Sequence, residues 1–175
     1  MAETITLAQS AKIRLELEIV GKTATFRPIG TVDEDINFSV VLTSLEQLGP
    51  DNYEFRFDLG RIDRINSCGV REWLLLMERL PATTRYTFAN VNELMIEQAN
   101  MISGILGRKG TPVTTFQAPY RCDHCKTDVP VMLEPKHIKV EDDSPVAPPV
   151  NCPTCAKPLT FDWLEDEYFA FIKRL

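Results

Sequence analysis

The chain has 175 residues, of which 44% are hydrophobic, and its 19 Lys+Arg against 25 Asp+Glu give a net charge of −6. That is room for one ordinary domain with a buried core and a small appendage. No run of about 18 apolar residues occurs, so no membrane-spanning helix is expected. Nonspecific nucleic-acid binding needs a basic surface, yet residues 1–110 carry 12 Lys+Arg against 15 Asp+Glu and residues 111–175 carry 7 against 10, so none is expected.

The amino terminus, Met1-Ala-Glu-Thr-Ile-Thr-Leu7, has no basic stretch followed by an apolar segment. A secretory signal is therefore not expected, and the cytoplasm is the expected compartment. Ile13, Leu15, Leu17 and Ile19 alternate with Arg14, Glu16 and Glu18, which predicts a strand over 13–20 with one buried face. Gly21-Lys22 supplies a turn, and Thr23 to Pro28 reads as a second, antiparallel strand. Over 35–48 the period lengthens. Phe38, Val41, Leu42, Leu45 and Leu48 form one helical stripe, stopped by Gly49-Pro50.

Tyr53, Phe55, Phe57 and Leu59 alternate with Glu54, Arg56 and Asp58 in a third strand. The spacing of Val70, Trp73, Leu74, Met77 and Leu80 predicts a helix over 69–80 before Pro81, with Ser67 or Cys68 at its N-cap. Tyr86 and Phe88 mark a fourth strand, and Asn90-Val-Asn-Glu93 caps a third helix reaching about residue 102. Thr111 to Gln117 is a candidate edge strand. The resulting α/β order, β-β-α-β-α-β-α, predicts parallel pairing where a helix joins two strands. Alternation within the strands predicts a mixed sheet with helices mainly on one face.

Gly107-Arg-Lys-Gly110 marks a boundary between a first domain over 1–110 and a tail over 111–175. The tail carries Cys122-Asp-His-Cys125 and Cys152-Pro-Thr-Cys155, two knuckles separated by 26 residues. Each knuckle can aim two sulfurs at one ion, so Cys122, Cys125, Cys152 and Cys155 are predicted to form a small ribbon around a structural metal. Zinc is the expected ion. Iron in a rubredoxin-like site takes the same ligands, although rubredoxins favour glycine where Lys126 and Ala156 stand. A cytosolic setting favours metal over disulfides. His124, between two ligands, and His137 are weaker ligand candidates. Four sulfurs leave no open coordination position, and the chain has no Walker-type loop, no H-E-x-x-H and two histidines in all; no enzymatic reaction is expected. The acidic, proline-rich stretch 141–149 is expected to be an exposed loop. Leu164, Tyr168, Phe171, Ile172 and Leu175 predict a terminal helix that must dock on the first domain, the ribbon or a second copy.

Two segments of the first domain carry a resemblance. Pro28-Ile-Gly30-Thr-Val-Asp33 lies between the second strand and the first helix. Phe57-Asp-Leu-Gly-Arg-Ile-Asp-Arg-Ile-Asn66-Ser67-Cys68-Gly69-Val70 leads from the third strand into the next helix. The first is similar to the G-x-[LI]-D signature, and the second to the D-S-[SA]-G-[LI] helix opening, of the STAS domain, the module of bacterial anti-sigma factor antagonists. The resemblance spans about residues 12–106. It implies a non-catalytic signalling protein that binds a partner, such as a serine kinase of the anti-sigma type, through Asp33, Asn66, Ser67, Cys68 and Gly69. Ser67 would be the phosphorylation site, and its phosphate would release the partner.

Two positions depart from the pattern. Asn66 replaces the aspartate that contributes to the kinase contact, and Cys68 replaces a small serine or alanine. Asn66 favours the alternative of an unphosphorylated scaffold in a membrane-associated or transport complex. A third reading, nucleic-acid binding through the ribbon, is opposed by the acidic charge. Read from the residues alone, Asp33 starts the first helix, Cys68 is a buried or half-buried small residue, and Gly69 permits close packing at the helix start. A homodimer through the tail is compatible with the sequence.

Overall fold

Alternation of apolar and polar residues builds the sheet of this computed structural model. The structure describes residues 3–49 and 51–175; Met1, Ala2 and Pro50, which the sequence expects to help stop the first helix, lie outside them. β2 (Ile13–Val20) and β3 (Thr23–Val32) pair antiparallel in unbroken register from Ile13↔Gly30 to Val20↔Thr23. β1 (Glu3–Gln9) adds antiparallel to β2 as an edge strand, with a register shift between Thr6 and Ala8. β4 (Glu54–Asp58) runs parallel to the first half of β3, and β5 (Ile62–Ile65) parallel to its last residues. β6 (Tyr86–Ala89) lies parallel to β4. The spatial order is β1-β2-β3-β4-β6, with β5 beside the end of β3.

The helices fall close to the predicted spans. α1 (Ser39–Leu48) starts later than its stripe suggests, because Asn37 Oδ1 accepts from both the amide and the hydroxyl of Ser39 and holds the preceding residues in a turn. α2 (Ser67–Arg79) and α3 (Glu93–Met101) are capped by Asn66 and Asn92. Asn92 also donates its carboxamide to Ile62 O at 2.7 Å, which ties the start of α3 to β5.

The helix-covered face holds an aromatic core. Phe57 sits at its centre, with ring centroids 5.6 Å from Phe26, 5.8 Å from Trp73 and Tyr86, and 5.7 Å from Phe88. The opposite face is polar. There Arg27 bridges three strands, reaching Asp58 at 3.0 Å, Glu18 at 3.2 Å and Glu16 at 3.9 Å. The alternation thus separates an apolar face, on which Trp73 of α2 packs, from a polar one.

Beyond α3 the chain returns to the sheet. Residues 111–117 run beside β6 through two parallel bridges, Phe88↔Val113 and Val91↔Phe116, rather than as the regular edge strand expected there. β7 (Phe116–Cys122) follows, paired antiparallel with β8 (Thr127–Leu133) and with the two-residue β11 (Thr160–Phe161). The stretch expected as an exposed loop is largely a hairpin, β9 (Lys139–Glu141) and β10 (Ser144–Val146). Asp142 and Asp143 both take positive φ, 48° and 64°, the geometry of a tight two-residue connection. Pro145 is buried, and Glu165 Oε1 accepts from the Ala147 amide at 2.6 Å.

The terminal helix is one α turn, α4 (Glu165–Tyr168), followed by a 3₁₀ segment over Phe169–Arg174. It docks on the first domain and on β7. Tyr168 Oη donates to Gln117 O at 2.7 Å, Arg174 donates to Ala99 O at 2.8 Å, and Phe171 meets Phe116 edge-on at 5.2 Å. Buried residues of 1–110 and of the tail form a single apolar cluster. Among the described residues no helix is long and apolar enough to cross a membrane.

Candidate functional site

Two regions hold the residues singled out by the sequence. The first is the cysteine cluster. Cys122 and Cys125 flank the β7–β8 turn, and Cys152 and Cys155 sit on a second turn closed by the bridge Asn151↔Pro158. The two turns share one construction. Lys126 N donates to Cys122 O at 2.8 Å and Ala156 N to Cys152 O at 2.9 Å, and both Lys126 and Ala156 have a φ of 57°. Lys126 and Ala156, one residue beyond each knuckle, are therefore left-handed, with side chains tolerated.

All four sulfurs lie within 4.8 Å of one another, and none is in a disulfide. Cys122 Sγ is 3.6 Å from Cys155 Sγ, and Cys125 Sγ is 4.0 Å from Cys152 Sγ. A metal–sulfur bond of about 2.3 Å gives a tetrahedron with edges of about 3.8 Å. The spacing fits one ion, and the donor set of four thiols is that of a structural site. The backbone amides of Cys155 and Thr154 hold the Cys152 thiol down, to about 6, ready to bind as thiolate. Contacts with Cys155 and Cys122 push Cys125 up, to about 12. Four sulfurs this close cannot all ionise without a cation among them. His124 is exposed and outside the cluster. His137 is occupied elsewhere, its Nδ1 accepting from the Glu134 amide at 3.2 Å.

The second region is the corner where β3 and β5 end and α2 begins. Asn66, not Ser67 or Cys68, is the N-cap: its Oδ1 accepts from Gly69 N at 2.8 Å. Its Nδ2 donates to Glu34 Oε2 at 3.0 Å, a contact that lowers the Glu34 pKa. Ser67 is the first residue of the helix, and its side chain is exposed rather than engaged as a cap. Cys68 is also exposed, not the buried or half-buried residue expected: it is Gly69, the next residue, that packs against the end of β3.

Asp33 does not start a helix. It is buried in the turn after β3, where Oδ2 takes a 2.8 Å hydrogen bond from Lys12 Nζ and Oδ1 accepts from the Asp35 amide at 3.1 Å. Lys12 also reaches Asp35 at 3.3 Å. Asp33, Asn66, Ser67, Cys68 and Gly69 thus meet at one end of the sheet, with Lys12 and Glu34 as members that the sequence motif did not reveal. Lys12 was hidden because it lies 21 residues from Asp33 in a turn of ordinary composition.

Both motif glycines have a steric reason. A Cβ on Gly69 would lie 2.1 Å from Val32 O, and one on Gly30, whose φ is 106°, would lie 2.2 Å from Lys12 O. These close approaches let α2 and the 10–12 turn sit against the end of β3. Gly69→Ala is expected to cost about 2–3 kcal/mol, since backbone rather than a flexible side chain must move. Equilibrium denaturation checks this; an unchanged midpoint would mean that the helix start slides freely.

The Lys12 hydrogen bond, followed by the Asp35 amide, depresses the Asp33 pKa. A carboxylate lowered on folding contributes stability above its unfolded pKa of about 3.9, and loses it as pH falls through the depressed value. Lys12→Met is expected to be less stable than wild type at neutral pH, with the gap narrowing below about pH 4. Denaturation midpoints across pH 3–8 test this. A gap that stays constant would assign the loss to something other than this pair.

Compared with known proteins, the chain matches no family model and finds no matching curated protein or solved structure.

Proposed function

We propose that the protein is a non-catalytic, STAS-like regulatory module that binds a signalling partner at the α2 corner, with zinc in the four-cysteine centre making the tail a rigid second surface. The observation that carries the reading is Ser67, exposed at the first position of a 13-residue helix and flanked by an intact cap. An anion is tolerated at a helix N-terminus. A phosphate there would bring roughly −1.5 to −2 charge next to Asn66, which holds Glu34, at the corner that also carries the Lys12–Asp33–Asp35 cluster. Such a group would disfavour a docked partner, through charge and the cost of desolvating the phosphate, without any refolding. Mass-spectrometric mapping after incubation with ATP and anti-sigma-type serine kinases tests this. Modification should fall on Ser67 and vanish in Ser67→Ala. Clean modification elsewhere removes the switch.

A second reading is favoured by Asn66, whose carboxamide is engaged at both ends and offers no carboxylate to a kinase. In that reading the corner is a constitutive scaffold surface, within a membrane-associated or transport complex. Partner affinity would then be indifferent to Ser67→Glu, whereas the switch predicts a loss of about tenfold or more.

A further inference from the structure

The opposite end of the sheet from Ser67 carries a groove. The starts of β3, β4 and β6 form one wall, and residues 108–114 form the other, enclosing about 600 Å³. This is the size of a small-molecule site. Arg56, Arg85 and Lys109 are exposed on its rim and make no ion pair among the described residues. Arg108 is different: its guanidinium donates to Leu80 O and Pro81 O and closes the end of α2. Glu54 is the one acidic residue of the lining.

Three free cations surround this one depression although the chain has a net charge of −6. Overall charge predicts no basic surface; the fold collects these cations from positions 29 and 24 residues apart along the chain. The wall also contains Thr84, which is 6% exposed and whose Oγ1 is sealed from solvent without a hydrogen-bond partner. A buried hydroxyl left unpaired costs free energy. Pro112, exposed on the opposite wall, adds apolar lining.

We propose that this groove binds a small phosphorylated molecule, with its phosphates held by Arg56, Arg85 and Lys109 and its organic part laid against the Pro112 side. Guanidinium forks match phosphate oxygens in pairs, and exposed arginines without carboxylate partners are free to do so. The groove is at the other end of the strands from Ser67, so occupancy does not depend on the partner-binding reading.

The test is a heteronuclear NMR titration of the full-length, metal-loaded protein with ADP, which joins a diphosphate to a flat ring, and separately with pyrophosphate. Both should shift amides in 54–56, 84–87 and 108–114, ADP more strongly. Arg85→Glu and Arg56→Glu should each weaken binding by about tenfold or more. Both residues are exposed, so the melting temperature should stay put. The proposal is overturned if the shifts match those of sodium chloride at equal ionic strength or survive both charge reversals. It is equally overturned if a single-stranded oligonucleotide moves these amides where ADP and pyrophosphate do not.

Discussion

Cys152→Ser, or removal of the ion by a strong chelator, should unfold the second knuckle and loosen everything between residues 147 and 161. The apolar cluster cannot hold this segment alone. Its hydrogen bonding is sparse for its length: Cys152 N to Lys157 O at 2.7 Å, Ala156 N to Cys152 O at 2.9 Å, Leu159 N to Val150 O at 2.8 Å, Ala147 N to Glu165 Oε1 at 2.6 Å, Tyr120 Oη to Pro148 O at 2.7 Å and Thr160 Oγ1 to Asp123 at 3.2 Å, with one isolated bridge and the two-residue β11. A structural zinc site supplies about 10–16 kcal/mol of apparent binding free energy at neutral pH. Loss of one of four ligands removes enough of that to exceed what these few bonds provide. β7 should resist, because Phe116, Ala118 and Tyr120 are buried in the main cluster. Loosening should instead spread towards α4, since Phe161 stacks on Phe169 at 5.1 Å.

Hydrogen exchange read by mass spectrometry, with metal content measured on the same sample, separates these segments. The expected pattern is collapse of protection over 147–161, partial loss over 165–174 and little change in β2–β6. Metal content should drop from about one ion per chain in the wild type. An identical protection map in metal-free protein would show that the sulfur cluster is not what organises the tail.

The parts of this molecule with strong local signals were legible. Period-2 alternation in Ile13–Val20 and Glu54–Asp58, and the stripe through Val70, Trp73 and Met77, placed three elements to within a few residues. The cysteine spacing identified all four members of the cluster. What was missed lacks a local signal. β1 has no fully buried residue, with Ile5 42% exposed, so nothing marks it as half of a pair. β5 is four residues long and depends on the end of β3 for its geometry. The hairpin turn uses Asp142-Asp143, where an Asn-Gly pair would have announced it. At the Ser67 corner, the capping role fell to Asn66 because its carboxamide can serve Gly69 and Glu34 together, a double contact visible only once β3 and α2 are side by side. The basic groove was invisible for the same reason.

Trp73→Ala should be the most damaging single change outside the metal centre. Trp73 has no exposed surface, meets Phe38 edge-on at 5.5 Å and Phe57 at 5.8 Å, and donates Nε1 to Ile105 O at 2.8 Å. Two costs are therefore combined. The cavity left by so large a side chain costs about 3–5 kcal/mol, and the orphaned Ile105 carbonyl adds about 1–3 kcal/mol unless water reaches it. Against a typical total stability of about 5–15 kcal/mol, that is enough to leave a large unfolded fraction. Trp73→Phe helps to divide the two terms, because it removes the donor while keeping one aromatic ring and leaving a smaller cavity than alanine does. Urea denaturation should rank the chains wild type, then Trp73→Phe, then Trp73→Ala, with Trp73→Phe losing about 1–3 kcal/mol. If the two variants lost equally, the hydrogen bond to the 102–107 turn, rather than aromatic packing on Phe57, would be what fixes α2 against the sheet. The Ser67 corner would then depend on that turn for its position.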